Sequence, residues 1–330
     1  MNKADGLTGI QNHLLVVESL SAMKAIQLIT SQPAPELAEA DVPKPAAGKG
    51  EVLVQVHAAG VTPTELIWYP TLYTKDGQPR VGAIPGHEFS GVIADLGECI
   101  EGFADGDEVY GMNDWFADGA TAEYCVTLPS NVARKPQRLT HTETAAVPIG
   151  ALTAWQGLLD RAKVQAGEHV LVHGGAGAVG VFAIQLARLH GARVTATVSG
   201  KNAAIVSQLG AESVIDYTTT AFEDVVRDVD VVFDTVGGET LQKSWDVLKP
   251  GGRMVTIAAD AEGTTDARVK EAFFIVEPNQ KQLAEIGDLF DAGKLRVFVD
   301  AEVPLANAAA AYEHKVQRRL GYGKVVVVVS

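Results

Sequence analysis

The sequence predicts an α/β protein that combines a β-rich domain with a doubly wound parallel sheet. Its 330 residues are enough for about two domains. Residues 23–148 read as short β-rich segments between turns, whereas strands and helices alternate from about residue 150. This change of pattern indicates a domain boundary near residue 149.

The β-rich part is predicted from runs of β-forming residues that Gly, Pro and Asp separate. KAIQLI (24–29), directly after Met23, reads as its first strand. Further runs are EVLVQVHAAG (51–60), FSGVIADLG (89–97), DEVYGM (107–112) and ATAEYCVTL (120–128). Residues 1–22 precede the first strand as an N-terminal extension to which we assign no function.

The parallel sheet is predicted from buried-type strands that alternate with helices. The strands are HVLVHG (169–174), ARVTATV (192–198), SVIDY (213–217), DVVFDTV (230–236), RMVTIA (253–258) and FFIV (273–276). Helices are expected over 178–190, 202–210, 239–248 and 280–293, the last one closed by Gly293. The tail GKVVVVV (323–329) reads as one more strand, which could close this sheet or return to the first domain.

Composition and charge exclude several classes of function. The net charge of −14 argues against general nucleic-acid binding and against adsorption to anionic membranes. The chain has two cysteines, Cys99 and Cys125. Such a low number argues against a disulfide framework, and the two do not form a CxxC pair that could bind a structural metal. No apolar run approaches the roughly 20 residues that span a bilayer, and the N-terminus lacks a secretory pattern. We therefore expect a cytoplasmic protein with no membrane partner.

The strongest local motif is a glycine-rich loop between a predicted strand and a predicted helix. Gly175, Gly177 and Gly180 form G-x-G-x-x-G within HVLVHGGAGAVG (169–180). In this pattern the first glycine permits a tight turn, the second lets a pyrophosphate approach the backbone, and the third allows close packing of helix on strand. The N–H groups and dipole of the helix then face the anion. The alternative is a glycine-rich connector in an unrelated α/β protein.

The end of the second strand indicates which nicotinamide cofactor is bound. A site for NAD usually places Asp or Glu about 20 residues after the glycine motif, where it binds the ribose 2′-hydroxyl. Here the sequence has Ser199, Gly200 and Lys201 instead. A hydroxyl and an ammonium favour a 2′-phosphate that a carboxylate would repel, so we predict NADPH. The alternative is that Lys201 is a solvated residue at the start of the next helix.

These residues together resemble the medium-chain dehydrogenase/reductase superfamily, in its zinc-free quinone oxidoreductase branch. GHEFSGVIADLGECI (86–100) fits the alcohol dehydrogenase pattern G-H-E-x2-G-x5-G-x2-I, and residues 167–188 resemble the quinone oxidoreductase pattern apart from Ala178, where glycine is more usual. The resemblance implies a GroES-like catalytic domain over 23–148 and about 295–330. It also implies a Rossmann NADP-binding domain over 149–294 and a homodimer.

The resemblance also implies which residues contact the cofactor. The pyrophosphate would lie on Gly175 to Gly180, closest to the N–H groups of Ala178 and Val179. The remaining cofactor residues would be Ser199, Lys201 and Tyr217 at the 2′-phosphate or adenosine, Thr153, Thr235 and Val236 near the nicotinamide, and Phe274 to Val276 at its carboxamide. Thr153 could equally be an ordinary residue at the start of a helix, and Tyr217 a packed tyrosine at the end of a strand.

His87 raises the question of a catalytic zinc, which needs three protein ligands. In the zinc-dependent relatives, one cysteine ligand would align with Thr62 and another near Ile149 and Gly150. Neither place holds a residue of that kind, and the four-cysteine structural lobe is absent from the sequence. We therefore predict that the protein binds no metal.

A reaction without metal favours acceptors that can delocalise charge. Hydride added to a quinone or to the β-carbon of an α,β-unsaturated carbonyl moves charge onto oxygen, and hydrogen bonds can stabilise it there. The candidates for the substrate side of the cleft are Thr62, Trp68, Tyr69, Tyr73 and Trp115, whose aromatic members could instead pack the domains together. The predicted function is an NADPH-dependent quinone or enone reductase. The alternatives are an enoyl-thioester reductase and a non-catalytic NADPH-binding protein.

Overall fold

The computed structural model describes residues 21–30 and 35–330. The predicted extension 1–22 lies outside the described residues except at its last two positions, and the first strand begins at Ala22. The strands are β1 (Ala22–Thr30), β2 (Glu36–Pro43), β3 (Val52–Gly60), β4 (Glu88–Leu96), β5 (Glu108–Met112), β6 (Tyr124–Thr127), β7 (Val132–Arg134), β8 (His169–His173), β9 (Arg193–Val198), β10 (Ser213–Asp216), β11 (Val229–Asp234), β12 (Leu248–Thr256), β13 (Val299–Pro304) and β14 (Lys324–Val328).

Ten α-helical segments lie within the described residues, most of them in the second half of the chain. They are α1 (Tyr69–Leu72), α2 (His141–Ala145), α3 (Pro148–Trp155), α4 (Gly180–Leu189), α5 (Ala203–Gln208), α6 (Phe222–Val225), α7 (Gly238–Ser244), α8 (Ala267–Ala272), α9 (Gln280–Asp291) and α10 (Ala308–Tyr312). Helix α3 continues into a π-helical turn, Gln156–Arg161. No helix in the described part of the chain is long and apolar enough to cross a membrane.

Five parallel strands form the second sheet, in the order β10-β9-β8-β11-β12. The chain starts in the middle at β8, winds outward through β9 and β10, and then returns to the other side of β8 to form β11 and β12. The strand order thus reverses between β8 and β11. This confirms the predicted doubly wound Rossmann-like sheet and places a crevice at the carboxyl ends of those two strands.

The first sheet has seven strands, in the order β13-β14-β3-β4-β5-β7, with β6 also paired to β3. Strand β14 is parallel to β13 and antiparallel to β3. The tail of the chain therefore joins the first sheet, which answers the question that its hydrophobic pattern left open. Strands β1 and β2 form a separate antiparallel pair.

Two predicted strands differ in the structure. FFIV is not a strand, since α8 ends at Ala272 and only Phe273 forms an isolated bridge, with Thr256. A short apolar run cannot be assigned by periodicity alone, and here Phe274 and Val276 are buried beside a cleft rather than paired in a sheet. ATAEYCVTL contributes only the four residues of β6 to the sheet.

The two sheets share an apolar core. The largest buried cluster runs from α3 and α4 through β8 and β9 and includes Tyr110 and Met112 of β5. The hydroxyl of Tyr110 donates a hydrogen bond of 2.5 Å to the carbonyl oxygen of Leu283 on α9. Helix α9 thereby packs against the first sheet.

Candidate functional site

A cleft of about 510 Å³ lies where the strand order of the parallel sheet reverses. In open α/β sheets, ligands bind at this position, beyond the carboxyl ends of the strands. The cleft brings together residues that the sequence assigned to the substrate and to the cofactor. Its lining includes the predicted residues Thr62, Trp68, Thr153, Val179, Thr235, Val236, Phe274 and Val276.

The glycine loop after β8 folds tightly against the start of α4. A Cβ atom added at Gly180 would lie 2.2 Å from the carbonyl oxygen of Gly174, so this close contact requires glycine. The tight turn that we expected at Gly175 falls one residue earlier, because Gly175 still donates a 3.0 Å hydrogen bond to Thr197 on β9. Gly174 has the positive φ, +72°. The N–H groups at the start of a helix lack partners within it, and this arrangement can bind a pyrophosphate.

The turn after β11 carries Thr235 and Val236 into the cleft, and the buried carboxylate of Asp234 holds that turn. Asp234 accepts hydrogen bonds from the N–H groups of Val236 (3.0 Å) and Gly237 (3.1 Å) and from the hydroxyl of Thr256 (2.8 Å). Burial raises the pKa of Asp234, whereas these donors favour its charged form. Sequence reasoning missed this residue, although an acid at the end of a buried strand signals a hydrogen-bonded turn.

The residues predicted to lie near the nicotinamide line one wall of the cleft. Thr153 is buried on α3, and its hydroxyl donates to the carbonyl oxygen of Ile149 at 2.6 Å. Thr153 therefore lies in the last turn of α3 and not at the start of a helix, as the alternative interpretation expected, and it also lines the cleft. Phe274 and Val276 follow α8 on the same wall. The carbonyl of Val276 accepts a 3.0 Å hydrogen bond from the indole N–H of Trp115, which ties this wall to the first sheet.

The five substrate-side candidates do not all reach the cleft. Thr62 and Trp68 line it. Trp115 does not line the cleft but contacts Trp68, with the two rings edge-on at 4.7 Å between their centroids. Tyr69 and Tyr73 stack on each other at 5.0 Å, are 50% and 38% exposed, and do not line the cleft. The structure therefore favours Thr62 and Trp68 over the two tyrosines.

The residues predicted for the adenosine end lie at one edge of the sheet. Ser199 and Lys201 follow β9, and Tyr217 follows its parallel neighbour β10. Tyr217 lines a second cavity, of about 680 Å³, whose lining includes neither Ser199 nor Lys201. Lys201 instead lies beside Gly321. The three residues share an edge but do not surround a single cavity.

The fold brings a carboxylate to this edge that the sequence window after β9 does not contain. Asp216, at the end of β10, accepts hydrogen bonds from the N–H (3.0 Å) and hydroxyl (2.7 Å) of Thr218. These bonds, with a further one from the N–H of Gly200, lower the pKa of Asp216. Asp216 is therefore a charged group next to the Ser199–Lys201 turn, and it bears on the choice between NADPH and NADH.

The loop before β14 also contacts the nucleotide edge, which sequence reasoning missed. The N–H of Gly323 donates to Ala176 in the glycine loop (3.2 Å), and Asn202 donates to the carbonyl of Gly321 (3.2 Å). Asp300 anchors the loop by accepting from the N–H of Gly321 at 2.8 Å. The contacts of Gly323 with Ala176 and of Asn202 with Gly321 join segments more than 100 residues apart, so no local sequence signal could have indicated them.

His87 is surrounded by protein acceptors. Its Nδ1 atom lies 2.5 Å from a carboxylate oxygen of Glu65, and its Nε2 atom lies 3.2 Å from the carbonyl oxygen of Ala117. The imidazole is 1% exposed. Both ring nitrogens of His87 therefore face oxygen atoms of the protein. Among the residues that the structure describes, no group of three or more His, Cys, Asp or Glu side chains is arranged to hold a metal ion.

A buried ion pair lies next to Thr62, which lines the cleft. The ammonium of Lys324 contacts the carboxylate of Glu88 and lies 3.3 Å from the hydroxyl oxygen of Thr62. Burial lowers the pKa of Lys324 to about 7, and the charge of Glu65 opposes that shift. Sequence reasoning missed this pair, because a lysine ahead of a valine-rich strand reads as a solvated residue.

Two family models match the chain. The first half matches the alcohol dehydrogenase GroES-like domain over residues 48–153, and the second half matches a zinc-binding dehydrogenase domain over residues 209–327. The first range falls mainly on the β-rich part, and the second covers β10, β11 and β12 of the parallel sheet together with β13 and most of β14 of the first sheet. The combination of the two domains in this order agrees with the fold described above.

Individual proteins show the same relationship over most of the chain. A probable mitochondrial zinc-binding oxidoreductase of Arthroderma benhamiae is 33% identical over 307 residues, which cover 87% of this chain and 91% of the relative. The 2-methylene-furan-3-one reductase of Solanum lycopersicum is 34% identical over 278 residues, 81% of this chain and 69% of the relative. The solved quinone oxidoreductase of Coxiella burnetii superposes with a TM-score of 0.82 at 31% identity and covers 94% of this chain and all of that one, 100%. The chain therefore belongs to the medium-chain dehydrogenase/reductase superfamily of nicotinamide-dependent oxidoreductases, in its quinone oxidoreductase-like branch.

Proposed function

We propose that the protein is an NADPH-dependent reductase that transfers hydride, without a metal, to a quinone or an α,β-unsaturated carbonyl. The observation that carries the proposal is the cleft at the switch point. There, residues after β8 and β11 face Thr62 and Trp68 of the other domain. Relatives described as a quinone oxidoreductase and as an alkenal/one oxidoreductase support this choice of acceptor.

The residues of the cleft suit a flat, uncharged acceptor. A bound nicotinamide would supply the hydride. Trp68 and Phe274 offer aromatic surface to a planar ring, and Val236 and Ile257 make much of the remaining wall apolar. Thr62 is one of the polar side chains that line the cleft. Such a wall excludes water around the acceptor, which strengthens any hydrogen bond to its carbonyl oxygen.

Steady oxidation of NADPH with a panel of acceptors tests the proposal. The panel contains small quinones, alkenals, enones and a short enoyl thioester, and absorbance at the NADPH band is followed under anaerobic conditions. We expect turnover with quinones or enones. Turnover confined to the thioester would assign the protein to the enoyl-thioester reductases. Tight NADPH binding without turnover on any acceptor would indicate a non-catalytic NADPH-binding protein.

Lys201→Ala is expected to weaken NADPH far more than NADH. Loss of a charge-assisted hydrogen bond to the 2′-phosphate corresponds to roughly a 10- to 100-fold rise in the dissociation constant for NADPH. Fluorescence titration with both cofactors measures the ratio, and Lys270→Ala, an exposed lysine on α8, is the control. Equal effects on NADPH and NADH would contradict the role of Lys201. A preference of the wild-type protein for NADH would indicate that Asp216 binds the ribose instead.

Metal analysis of the purified protein is expected to find no stoichiometric zinc. Thr62 and the Ile149–Gly150 pair offer no zinc ligand of the usual kinds, and both ring nitrogens of His87 are engaged. Dialysis against a chelator should leave NADPH oxidation unchanged. One zinc per chain, or loss of turnover that added zinc restores, would show that the proposal is wrong about the metal.

A homodimer and a cytoplasmic location remain predictions. Gel filtration with light scattering tests the first. The second is open to a specific alternative, since relatives from Arthroderma benhamiae and Danio rerio are described as mitochondrial. Fractionation of the cells that produce this protein would decide between the two compartments.

A further inference from the structure

The three side chains of Lys324, Glu88 and Thr62 form a buried polar cluster whose outer member lines the cleft. The antiparallel pairing of β14 with β3 places Val326 opposite Gly60, and Val61 donates to the carbonyl of Val325 at 3.0 Å. Continued by two residues, this register sets Lys324 opposite Thr62. The contact between the two side chains is therefore a consequence of strand pairing and not a chance approach of a flexible lysine.

The cluster is protected from solvent on the side away from the cleft. Lys324 is 6% exposed and Glu88 is 0% exposed. Gly60 leaves the space that Glu88 occupies, because a Cβ atom there would lie 2.5 Å from a carboxylate oxygen. The other oxygen of Glu88 accepts a 3.0 Å hydrogen bond from the N–H of Ile149, a residue that also lines the cleft. Buried charges persist when they are paired in this way.

The direction of the hydrogen bond between Lys324 and Thr62 follows from their chemistry. An ammonium group has three donors and no acceptor. Burial lowers the pKa of Lys324 to about 7, and contact with the carboxylate of Glu88 favours the ammonium form. Thr62 must then accept at its oxygen, at 3.3 Å. Its own proton is left to be donated elsewhere, and the open side of Thr62 faces the cleft.

We propose that the hydroxyl of Thr62 donates a hydrogen bond to the carbonyl oxygen of the acceptor, and that Lys324, held by Glu88, is the positioning residue that fixes Thr62 as a donor. This inference rests on the proposed reductase function. It assigns the cluster to the part of the site that stabilises developing negative charge, a task for which a preorganised donor in a water-excluded pocket is effective.

The cluster acts on charge that the reaction moves to oxygen. When the β-carbon of an enone forms a C–H bond with the incoming hydride, the C=C electron pair shifts toward the carbonyl and leaves an enolate oxygen. The substrate gains two electrons, which the nicotinamide loses. The Thr62 hydroxyl keeps its proton and only hydrogen-bonds to the enolate, and the product takes its second hydrogen from water. No proton moves to or from Lys324 or Glu88 in this step.

Three variants test the cluster. Thr62→Val keeps the shape of the side chain and removes the hydroxyl, and we expect kcat/KM for the acceptor to fall about 100-fold, as for loss of one oxyanion donor. Glu88→Gln combined with Lys324→Met removes both buried charges together and should give a smaller fall. The triple variant should fall no further than Thr62→Val alone, because the pair acts only through Thr62. Thr62→Ser should restore activity.

A matched control separates this role from stability. Lys135 is a half-buried lysine whose side chain is 7% exposed; it lies 3.5 Å from the carboxylate of Glu108 and does not line the cleft. Lys135→Met should destabilise the protein but leave kcat/KM unchanged. NADPH dissociation constants of all variants should match the wild-type value, which shows that each variant is folded and that the loss concerns the acceptor.

Binding of p-nitrophenol in the presence of NADP⁺ gives a readout that does not need turnover. The wild-type complex should favour the phenolate, seen as increased phenolate absorbance at fixed pH, and Thr62→Val should abolish that increase.

If the wild-type protein oxidises NADPH and Thr62→Val changes neither kcat/KM nor phenolate binding, the inference is wrong and the reductase function stands. If no acceptor is reduced but phenolate binding depends on Thr62, the function fails and the donor site stands. Absence of both effects overturns both.

Discussion

Gly180→Ala is expected to destabilise the protein and to abolish NADPH binding together. The new Cβ atom would lie 2.2 Å from the carbonyl oxygen of Gly174 and 2.8 Å from the Cα atom of Gly175. These neighbours are backbone atoms, so the glycine loop must move away from α4. Such overpacking costs about 3 kcal/mol of unfolding free energy, and the shift displaces the N–H groups that would hold the pyrophosphate.

Gly177→Ala provides the contrast within the same motif. A Cβ atom at Gly177 would lie 3.2 Å from the carbonyl oxygen of Gly174, a tight contact that a small shift relieves. We expect the unfolding free energy to change by less than about 1 kcal/mol, while NADPH binding weakens because the methyl group occupies the approach of the pyrophosphate. The two variants should therefore differ in stability and agree in loss of the cofactor.

Urea unfolding without cofactor and NADPH titration by fluorescence measure the two quantities separately. Gly191→Ala, at the turn between α4 and β9, serves as a control for a strained glycine away from the cleft, because Gly191 has a φ of +81°. It should lower the unfolding midpoint and leave NADPH affinity unchanged. A Gly180→Ala protein with wild-type midpoint and affinity would contradict the loop geometry.

The sequence was sufficient to predict the parts of the fold that depend on local pattern. The helix over 178–190 and the strands around it are confirmed, because apolar periodicity and the glycine motif act within about 30 residues of chain. The strand predicted at 273–276 is wrong, although it was predicted from the same kind of apolar pattern. Four apolar residues have no period of their own, and burial beside the cleft satisfied them without strand pairing.

The site was predictable only where one segment carries it. Thr235 and Val236 line the cleft because they follow the end of β11 at the switch point, whereas Thr153, on α3, was expected only from the family resemblance. The contact of Lys324 with Thr62 joins residues 262 positions apart through the pairing of β14 with β3. The approach of Asp216 to Gly200 depends likewise on two parallel strands. Electrostatic features of this kind depend on which distant strands pair with each other, and a local sequence pattern does not determine that pairing.

Asp234→Ala is expected to loosen the wall of the cleft formed by the turn after β11. The substitution leaves the N–H groups of Val236 and Gly237 and the hydroxyl of Thr256 without their acceptor. Unsatisfied buried donors cost about 1–3 kcal/mol each, less whatever water recovers, so we expect a loss of about 3 kcal/mol in unfolding free energy. Since Val236 lines both cavities, the affinity for NADPH should fall as well.

Asp230→Ala on the same strand distinguishes the local effect from the global one. Asp230 accepts a 2.8 Å hydrogen bond from the N–H of His169 and pairs with Lys249, at the opposite end of β11 from the cleft. Both variants should unfold at lower urea concentration, but only Asp234→Ala should raise the dissociation constant for NADPH. If both variants weaken NADPH equally, the turn is not a specific wall of the cofactor site. The parallel sheet as a whole would then set the affinity.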